Sequence, residues 1–207
     1  MQRVTDTSSA ARFTSGFTLM ELMITLALAG VLLAIAVPNM RVFGQNNRLT
    51  AASNDLLRSF QMARSEAIKR QQNVAVCASA DPTAATPACS YGAFNGWIVF
   101  QDTNGNWQPD GAPAEPILER HERVDPTVFV RTDNDGIESF NQTGFANPAG
   151  ARSPTRNIVL CDSRGVHLAA GSSTARAVVI SPTGRTRVTK DNTDVTNALG
   201  VIGASCP

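Results

Sequence analysis

Residues 17–37 read FTLMELMITLALAGVLLAIAV, and this stretch determines how the remaining sequence is interpreted. Its only charged residue is Glu21, and a helix of about 20 apolar residues is long enough to span the hydrocarbon core of a bilayer. The run ends in AVPN (36–39), which lacks the small-residue cleavage site that follows the apolar region of a secretory signal peptide. We therefore predict a helix that anchors the chain in a membrane.

Glu21 is the unusual feature of this helix. An acidic side chain within a membrane span costs on the order of 2.5–3.5 kcal/mol on insertion scales, so such residues usually have a partner and a function. A polar leader, MQRVTDTSSAARFTSG (1–16), precedes the apolar run. The Glu21 carboxylate and the polar leader therefore indicate that the helix has a role in addition to anchoring the chain.

The leader and the segment Gly16–Leu22 (GFTLMEL) resemble the processing site of type IV prepilins. The resemblance implies that prepilin peptidase cleaves after Gly16 and methylates the new terminal amine of Phe17. It also implies that Glu21 pairs with the terminal amine of a neighbouring subunit in a filament, where a buried carboxylate needs a partner. The family's helix-breaking proline maps onto Pro38, which would kink or locally melt the helix.

A different pattern, with a helical period, follows the apolar span. Apolar residues recur at intervals of three and four, which predicts an amphipathic helix over about residues 45–72 and one long helix from about Thr18 to Gln72. The apolar positions are Leu49, Ala52, Leu56, Phe60, Ala63 and Ala67. Basic residues lie elsewhere on this helix, and we interpret them as a solvated surface. They are Arg48, Arg58, Arg64, Lys69 and Arg70.

Segments rich in Val and Ile, each bounded by Gly, Pro, Asn or Asp, predict strands. No helix-length apolar pattern separates them, so the sheet is expected to be largely antiparallel. The segments are 73–79, 96–102, 127–132, 156–162 and 176–182.

The predicted fold is α+β and of the type IV pilin kind. A long N-terminal helix, half transmembrane and half amphipathic, packs on a mainly antiparallel β-sheet domain. The parts are a leader (1–16), a transmembrane helix (17–44) and a globular domain (45–207) that is β-rich over 73–207.

All four cysteines lie in the part predicted to be exported, where disulfides persist. Four cysteines allow three pairings, of which sequence order favours Cys77–Cys89 and Cys161–Cys206. The first would close the loop ADPTAATPA (80–88), and the second would tie the last residues of the chain to a strand. No CxxC spacing occurs, so the cysteines do not indicate a metal site.

The remaining motifs do not indicate an enzyme. The segment Asp102–Asn106 begins like a calcium loop, but Trp107 and Pro113 stand where an EF-hand has glycine and glutamate. We predict instead that Asn104-Gly105 forms a hairpin turn. Neither histidine lies in a zinc-protease or nucleophile-elbow motif. We therefore predict no catalytic residue, no cofactor and no metal.

The net charge of +1 conceals an uneven distribution. Residues 101–138 hold nine acids and three bases, whereas residues 152–190 hold seven bases and one acid. A basic cluster suggests an anionic partner, and the alternative is that these arginines serve only solubility. The seven bases are Arg152, Arg156, Arg164, Arg176, Arg185, Arg187 and Lys190.

The densest basic group lies in residues 181–190 (SPTGRTRVTK), directly after the apolar segment AVVI. Pro182 and Gly184 mark a turn, so we expect an exposed tip. In an extended chain, Arg185 and Arg187 point to the same side. No aromatic residue interleaves with the arginines. Base stacking is therefore not indicated, and we expect largely sequence-independent contacts to phosphates.

Three segments resemble the GspH/FimT family of minor pilins and pseudopilins: GWIVFQDTNGN (96–106), NIVLCDSRG (157–165) and RAVVISPTGRTR (176–187). Members of the FimT type carry a Gly-Arg-any-Arg motif that binds DNA during natural transformation. The residues matching it are Gly184, Arg185, Thr186 and Arg187, and Lys190 is a further candidate DNA contact.

The resemblance implies a minor pilin that binds extracellular double-stranded DNA for pilus-mediated uptake. The alternative is a structural minor pilin or a type II secretion pseudopilin that primes filament assembly without binding DNA. The implied partners are DNA, other major and minor pilins, prepilin peptidase and the inner membrane. The implied location is a single pass through the inner membrane with a periplasmic C-terminal domain, followed by assembly into an extracellular pilus.

Overall fold

The structure is a computed structural model and describes residues 16–110, 115–148, 153–166, 168–169 and 171–207. Its elements, in chain order, are α1 (Leu19–Arg70), β1 (Asn73–Ala78), β2 (Trp97–Asp102), β3 (Ile117–His121), β4 (Phe129–Thr132), β5 (Ile137–Phe140), β6 (Asn157–Cys161), β7 (Leu168–Ala169), β8 (Ser172–Ile180), β9 (Thr186–Asp191) and α2 (Asn192–Ile202). Leader residues 1–15 lie outside the described residues.

The long helix predicted from the apolar run and the periodic segment after it is α1. Its backbone is helical through position 38. The helix is therefore not melted at Pro38 in the single chain, and the kink or local melting that the resemblance implies in a filament remains a prediction. The chain divides into two compact units between Phe43 and Gly44. In the first unit the apolar side chains of α1 are exposed. Within the described residues, α1 is the one helix long and apolar enough to cross a membrane, with a mean hydropathy of 2.4 over its most apolar window.

Among the described residues, the second unit contains two sheets in which every strand pairing is antiparallel, as predicted. The first sheet has the order β3-β2-β1-β5. The second has the order β4-β6-β8-β7, and β9 also pairs with β8. The α+β prediction, a long helix with a mainly antiparallel β domain, is confirmed.

The apolar face of α1 lies at the centre of the main core. Leu49, Leu56 and Phe60 are fully buried, and they belong to one cluster with Val76 of the first sheet and Leu160 of the second. Successive strand residues point to opposite faces, so the alternate residues of β6 and β8 form a second core. Val159 and Ala177 there pack with Val195 and Ala198 of α2. The second sheet is therefore covered by α1 on one face and by α2 on the other.

Helix α2 lies within the region that the sequence predicted as β-rich. Its signals are local: the Asp191 carboxylate accepts hydrogen bonds from the Thr193 and Asp194 backbone N–H groups, and Gly203 ends the helix in a left-handed conformation. The apolar residues Val195, Ala198, Leu199 and Ile202 follow the i, i+3, i+4, i+7 spacing of a helix that packs on one face. The prediction of a β-rich region over 73–207 overlooked this signal, although the Asn, Thr and Gly residues of the segment do lower its helix propensity.

Both disulfides that sequence order favours are present in the structure. Cys77 at the end of β1 is bonded to Cys89, with 5.6 Å between their Cα atoms. Cys161 at the end of β6 is bonded to Cys206, with 6.1 Å between their Cα atoms. The second bond attaches the segment after α2 to the strand on which α2 packs. It therefore helps to fix the helix that faces β9.

The hairpin turn predicted at Asn104-Gly105 is wrong. β2 and β3 do pair as antiparallel strands, but the segment joining them runs from residue 103 to residue 116. The buried Glu115 carboxylate accepts hydrogen bonds from the backbone N–H groups of Thr103 and Asp110, which organises the described part of this loop. Among the described residues, no group of three or more His, Cys, Asp or Glu side chains could hold a metal ion.

Candidate nucleic-acid interface

The basic motif occupies the turn that joins β8 to β9. The Ser181 backbone N–H donates to the Arg185 carbonyl at 2.9 Å, and the Gly184 N–H donates to the Ser181 carbonyl at 2.9 Å. The Arg185 N–H in turn donates to the Ser181 hydroxyl at 3.1 Å. These bonds close the turn at residues 181–185, as Pro182 and Gly184 predicted.

Gly184 is required at this position for two reasons. Its φ of +74° lies in the left-handed region, which side-chain-bearing residues rarely adopt. In addition, a Cβ added there would lie 2.0 Å from the Gly144 carbonyl oxygen. The loop that holds Gly144 is joined to the turn by a hydrogen bond from the Ala146 N–H to the Pro182 carbonyl, at 3.2 Å. The turn is thus held firmly against a neighbouring loop.

Arg185 is exposed at the tip of this turn. Within the described part of the chain, its guanidinium forms neither an ion pair nor a hydrogen bond. Lys190, exposed on β9, has no acidic partner among the same residues. Both side chains therefore present an uncompensated positive charge to solvent.

Arg187 has a different environment. It donates two hydrogen bonds to the Asp194 carboxylate of α2, at 2.7 and 3.1 Å, and the Thr189 hydroxyl donates to the same carboxylate at 3.0 Å. Hydrogen bonding to Asp194 raises the pKa of Arg187, and hydrogen bonding to Arg187 lowers the pKa of Asp194. The two arginines expected to point to the same side thus have different neighbours, and only Arg185 is free of an acid.

Most of the other bases in residues 152–190 are also engaged. Arg156 pairs with the fully buried Glu138 at 2.8 Å, and Arg164 pairs with Asp162 at 2.6 Å. Burial raises the pKa of Glu138 to about 8, and the neighbouring Arg156 acts in the opposite direction. The Arg176 guanidinium is half-buried and donates to backbone carbonyls. Arg152 lies outside the described residues. The excess of bases in the sequence therefore does not become an equally basic surface.

The fold adds a pocket of about 410 Å³ beside the turn. Gly184, Arg185 and Thr186 form one side of it, and α1 forms the other. The α1 residues are Gln61, Arg64, Ser65 and Ile68. Their spacing places them on one helix face, which is the signal that sequence analysis could have used. The interpretation of Arg64 as part of a solvated surface holds only in part, because the residue is half-buried and its Nε atom is shielded from solvent.

The fold also brings an aromatic residue near the turn. Phe145 is 50% exposed and lies between Gly144 and Ala146, the two residues that contact the turn. It is about 40 positions away in sequence, so a search for aromatics among the arginines did not find it.

The N-terminal motif is exposed where the structure describes it. Phe17 is 82% exposed, and α1 begins two residues later. The Thr18 hydroxyl accepts a hydrogen bond from the Glu21 backbone N–H at 3.2 Å, which caps the helix. The Glu21 carboxylate is exposed and has no ion-pair partner in the described chain.

Comparisons with known proteins agree on one family. The sequence matches the family described as Type II transport protein GspH over residues 52–184. It also matches the Prokaryotic N-terminal methylation motif over residues 12–37. Pilin-like protein PilA1 of Thermus thermophilus is 31% identical over 177 residues, which cover 84% of this chain and 97% of that protein.

Two crystal structures of the type IV minor pilin FimU from Pseudomonas aeruginosa are also similar. They are 21% and 19% identical in sequence, with TM-scores of 0.47 and 0.45. The matches cover 71% and 68% of this chain and 92% of each FimU chain.

Proposed function

The chain belongs to the GspH family of type IV pilin-like proteins, and we propose that it is a minor pilin that binds extracellular double-stranded DNA through the Gly184–Arg187 turn. The binding would be largely independent of base sequence and would serve pilus-mediated uptake in natural transformation. Members of this family are structural proteins rather than enzymes. The proposed activity is accordingly binding, with no chemical step.

One observation carries the proposal: Arg185 is exposed at the tip of a rigid turn and has no acidic partner in the described chain. An arginine in this state can neutralise a phosphate without first breaking an ion pair. Lys190 is the second free base on the same hairpin. Arg187 lies between them, and Thr186 lines the adjoining pocket.

Sequence independence follows from the groups available. Phosphate contacts position a protein on the duplex but carry no base information. Each phosphate neutralised on duplex DNA contributes about 0.9 to the slope of log K against log[salt]. The turn offers few charges, so we expect weak binding with a shallow slope.

A salt titration of DNA binding tests the proposal. The full chain in a non-ionic detergent is titrated onto labelled duplexes of two unrelated sequences. Arg185→Gln should flatten the salt slope by about 0.9 on both duplexes. Arg187→Gln should flatten it by less, because Asp194 already balances that charge. The matched control is Arg58→Gln, which removes an exposed α1 charge that lies 3.8 Å from Glu119.

Two results contradict the proposal. If Arg185→Gln binds as well as the parent, the turn is not the DNA site. If the parent shows no binding even at low salt, the protein is a structural minor pilin or a type II secretion pseudopilin, the second candidate. The description of the matching family as a type II transport protein favours that candidate.

Family membership and the methylation motif imply processing by prepilin peptidase and association with other pilins. We propose that cleavage falls between Gly16 and Phe17, that Phe17 is methylated, and that the Glu21 carboxylate pairs with the amine of a neighbouring subunit. The mature chain would cross the inner membrane once, with residues 45–207 in the periplasm before assembly. Mass spectrometry of assembled material should give an N-terminal methyl-phenylalanine. Retention of residues 1–16 would exclude this cleavage site.

A further inference from the structure

The basic residues on the C-terminal half of α1 differ in whether they have an acidic partner. Arg48 pairs with Asp125 at 3.5 Å, and Arg58 lies 3.8 Å from Glu119. Lys69 and Arg70 both pair with Glu66, at 3.2 and 2.6 Å. Arg64 is the exception, since the described chain offers it no carboxylate.

Arg64 is also placed differently from the other four. Its Nε atom is shielded from solvent and has no hydrogen-bond partner among the described residues. The turn and its supporting loop both lie against this atom, because a Cβ at Gly184 would lie 3.3 Å from it and a Cβ at Gly144 would lie 3.2 Å from it. A shielded N–H without an acceptor is costly. Because Nε is closed off from solvent, a ligand in the pocket can contact Arg64 only through the rest of its guanidinium group.

The Thr186 hydroxyl has the same property. Its Oγ1 atom is shielded and has no hydrogen-bond partner among the described residues. Thr186 and Arg64 line the same pocket from opposite sides, and Arg185 lines it too. The pocket therefore combines two guanidinium groups without acids and two unpartnered polar atoms.

These groups fit one chemical class of ligand. The two guanidinium groups and the Gln61 amide can donate hydrogen bonds to an anion that carries several oxygens, whereas the Ser65 hydroxyl already donates to the Met62 carbonyl. No carboxylate lines the pocket to repel it. The apolar Ile68, 44% exposed, provides a surface for C–H groups next to that anion.

We propose that Arg64 and Arg185 together bind one backbone phosphate of DNA in this pocket, with Ile68 beside the attached sugar. The inference rests on the proposed function and extends it, because it makes α1 part of the DNA site. The proposal also separates the roles of the arginines. Arg64 and Arg185 contact one phosphate in the pocket, whereas Arg187 lies outside the pocket and is bound to Asp194.

The test extends the salt titration to the full chain carrying Arg64→Gln, Arg185→Gln or both. Arg64→Gln should flatten the slope, and the double variant should lose about 0.9 in total rather than twice that, because one phosphate is lost in every case. Arg64→Lys should bind between the parent and Arg64→Gln, because it keeps the charge but loses the planar fork. Arg58→Gln removes the same charge from the same helix and should change little.

The outcomes separate the inference from the function on which it rests. If Arg185→Gln weakens binding while Arg64→Gln and Arg64→Lys do not, the turn binds DNA and the α1 pocket is wrong. Additive losses in the double variant would overturn the shared phosphate. If the parent binds no DNA, both proposals fall. Circular dichroism melting of each variant shows whether a loss of binding reflects a loss of fold.

Discussion

Two regions of the β8–β9 hairpin contain an arginine from the same four-residue motif, and they differ in what surrounds it. At the tip, Arg185 borders α1, where Arg64 also lacks an acidic partner. Two residues later, Arg187 borders α2, whose Asp194 binds it through two hydrogen bonds. The difference shows that a motif arginine is available to a ligand only where the element packed beside it brings no carboxylate.

The same contrast holds at the scale of the whole domain. The acidic segment 101–138 and the basic segment 152–190 suggest two oppositely charged regions, yet the fold pairs Glu138 with Arg156. Other acids of the acidic segment face bases on α1. Exposed pairs of this kind contribute little to stability, but they do neutralise the surface. Within the described part of residues 152–190, Arg156, Arg164 and Arg187 each have an acidic partner, whereas Arg185 and Lys190 have none.

Gly184→Ala disturbs the turn that carries Arg185 without removing any charge. We expect it to have the largest effect on stability and DNA affinity among the variants. The new Cβ would lie 2.0 Å from the Gly144 carbonyl, so the turn must move away from its supporting loop. Left-handed strain of about 1–2 kcal/mol and overpacking of about 1–3 kcal/mol should both lower the free energy of unfolding. DNA affinity should fall as well, since Arg185 moves away from Arg64. Thermal unfolding and the salt titration measure the two effects.

Gly203→Ala is the matched control for this variant. Gly203 also has a positive φ, of +67°, but apart from its chain neighbours no atom of the described chain lies within 4 Å of its Cβ position. It should show only the left-handed strain and keep DNA binding. Equal losses of stability in both variants would show that the contact with Gly144 does not hold the turn.

The fold could be predicted wherever apolar pattern and strand propensity agree. All five segments rich in Val and Ile contain strands, and the 3–4 spacing gave the buried face of α1. Four strands lie outside the predicted segments: β3 (ILERH), β5 (IESF), β7 (LA) and β9 (TRVTKD). β7 has only two residues, and the other three mix polar with apolar residues, so their stability depends on pairing with neighbours. The strand propensity of a short segment carries no information about pairing with strands that are distant in sequence.

The candidate site shows the same limit. The turn was predictable because Pro182 and Gly184 act locally. The acid that binds Arg187 and the arginine that joins Arg185 were not. Asp194 reaches Arg187 only because α2 packs beside β9, and Arg64 lies more than a hundred residues away in sequence. A sequence motif of this kind locates basic residues but does not tell which of them have a partner.

Asp194→Asn tests the other region of the hairpin, and we expect the smallest effect from it. The substitution removes the carboxylate that holds Arg187 but leaves the Asp191 cap of α2 in place, so the fold should be kept. Arg187, once released, can reach a second phosphate, and the salt slope of DNA binding should steepen by up to about 0.9. Loss of an exposed ion pair should cost at most about 1 kcal/mol in unfolding free energy. Glu122→Gln, at an exposed acid that follows β3, removes the same charge without releasing Arg187. An equal gain in both variants would mean that net charge alone governs binding, and the contrast between Arg185 and Arg187 would then have no consequence for DNA.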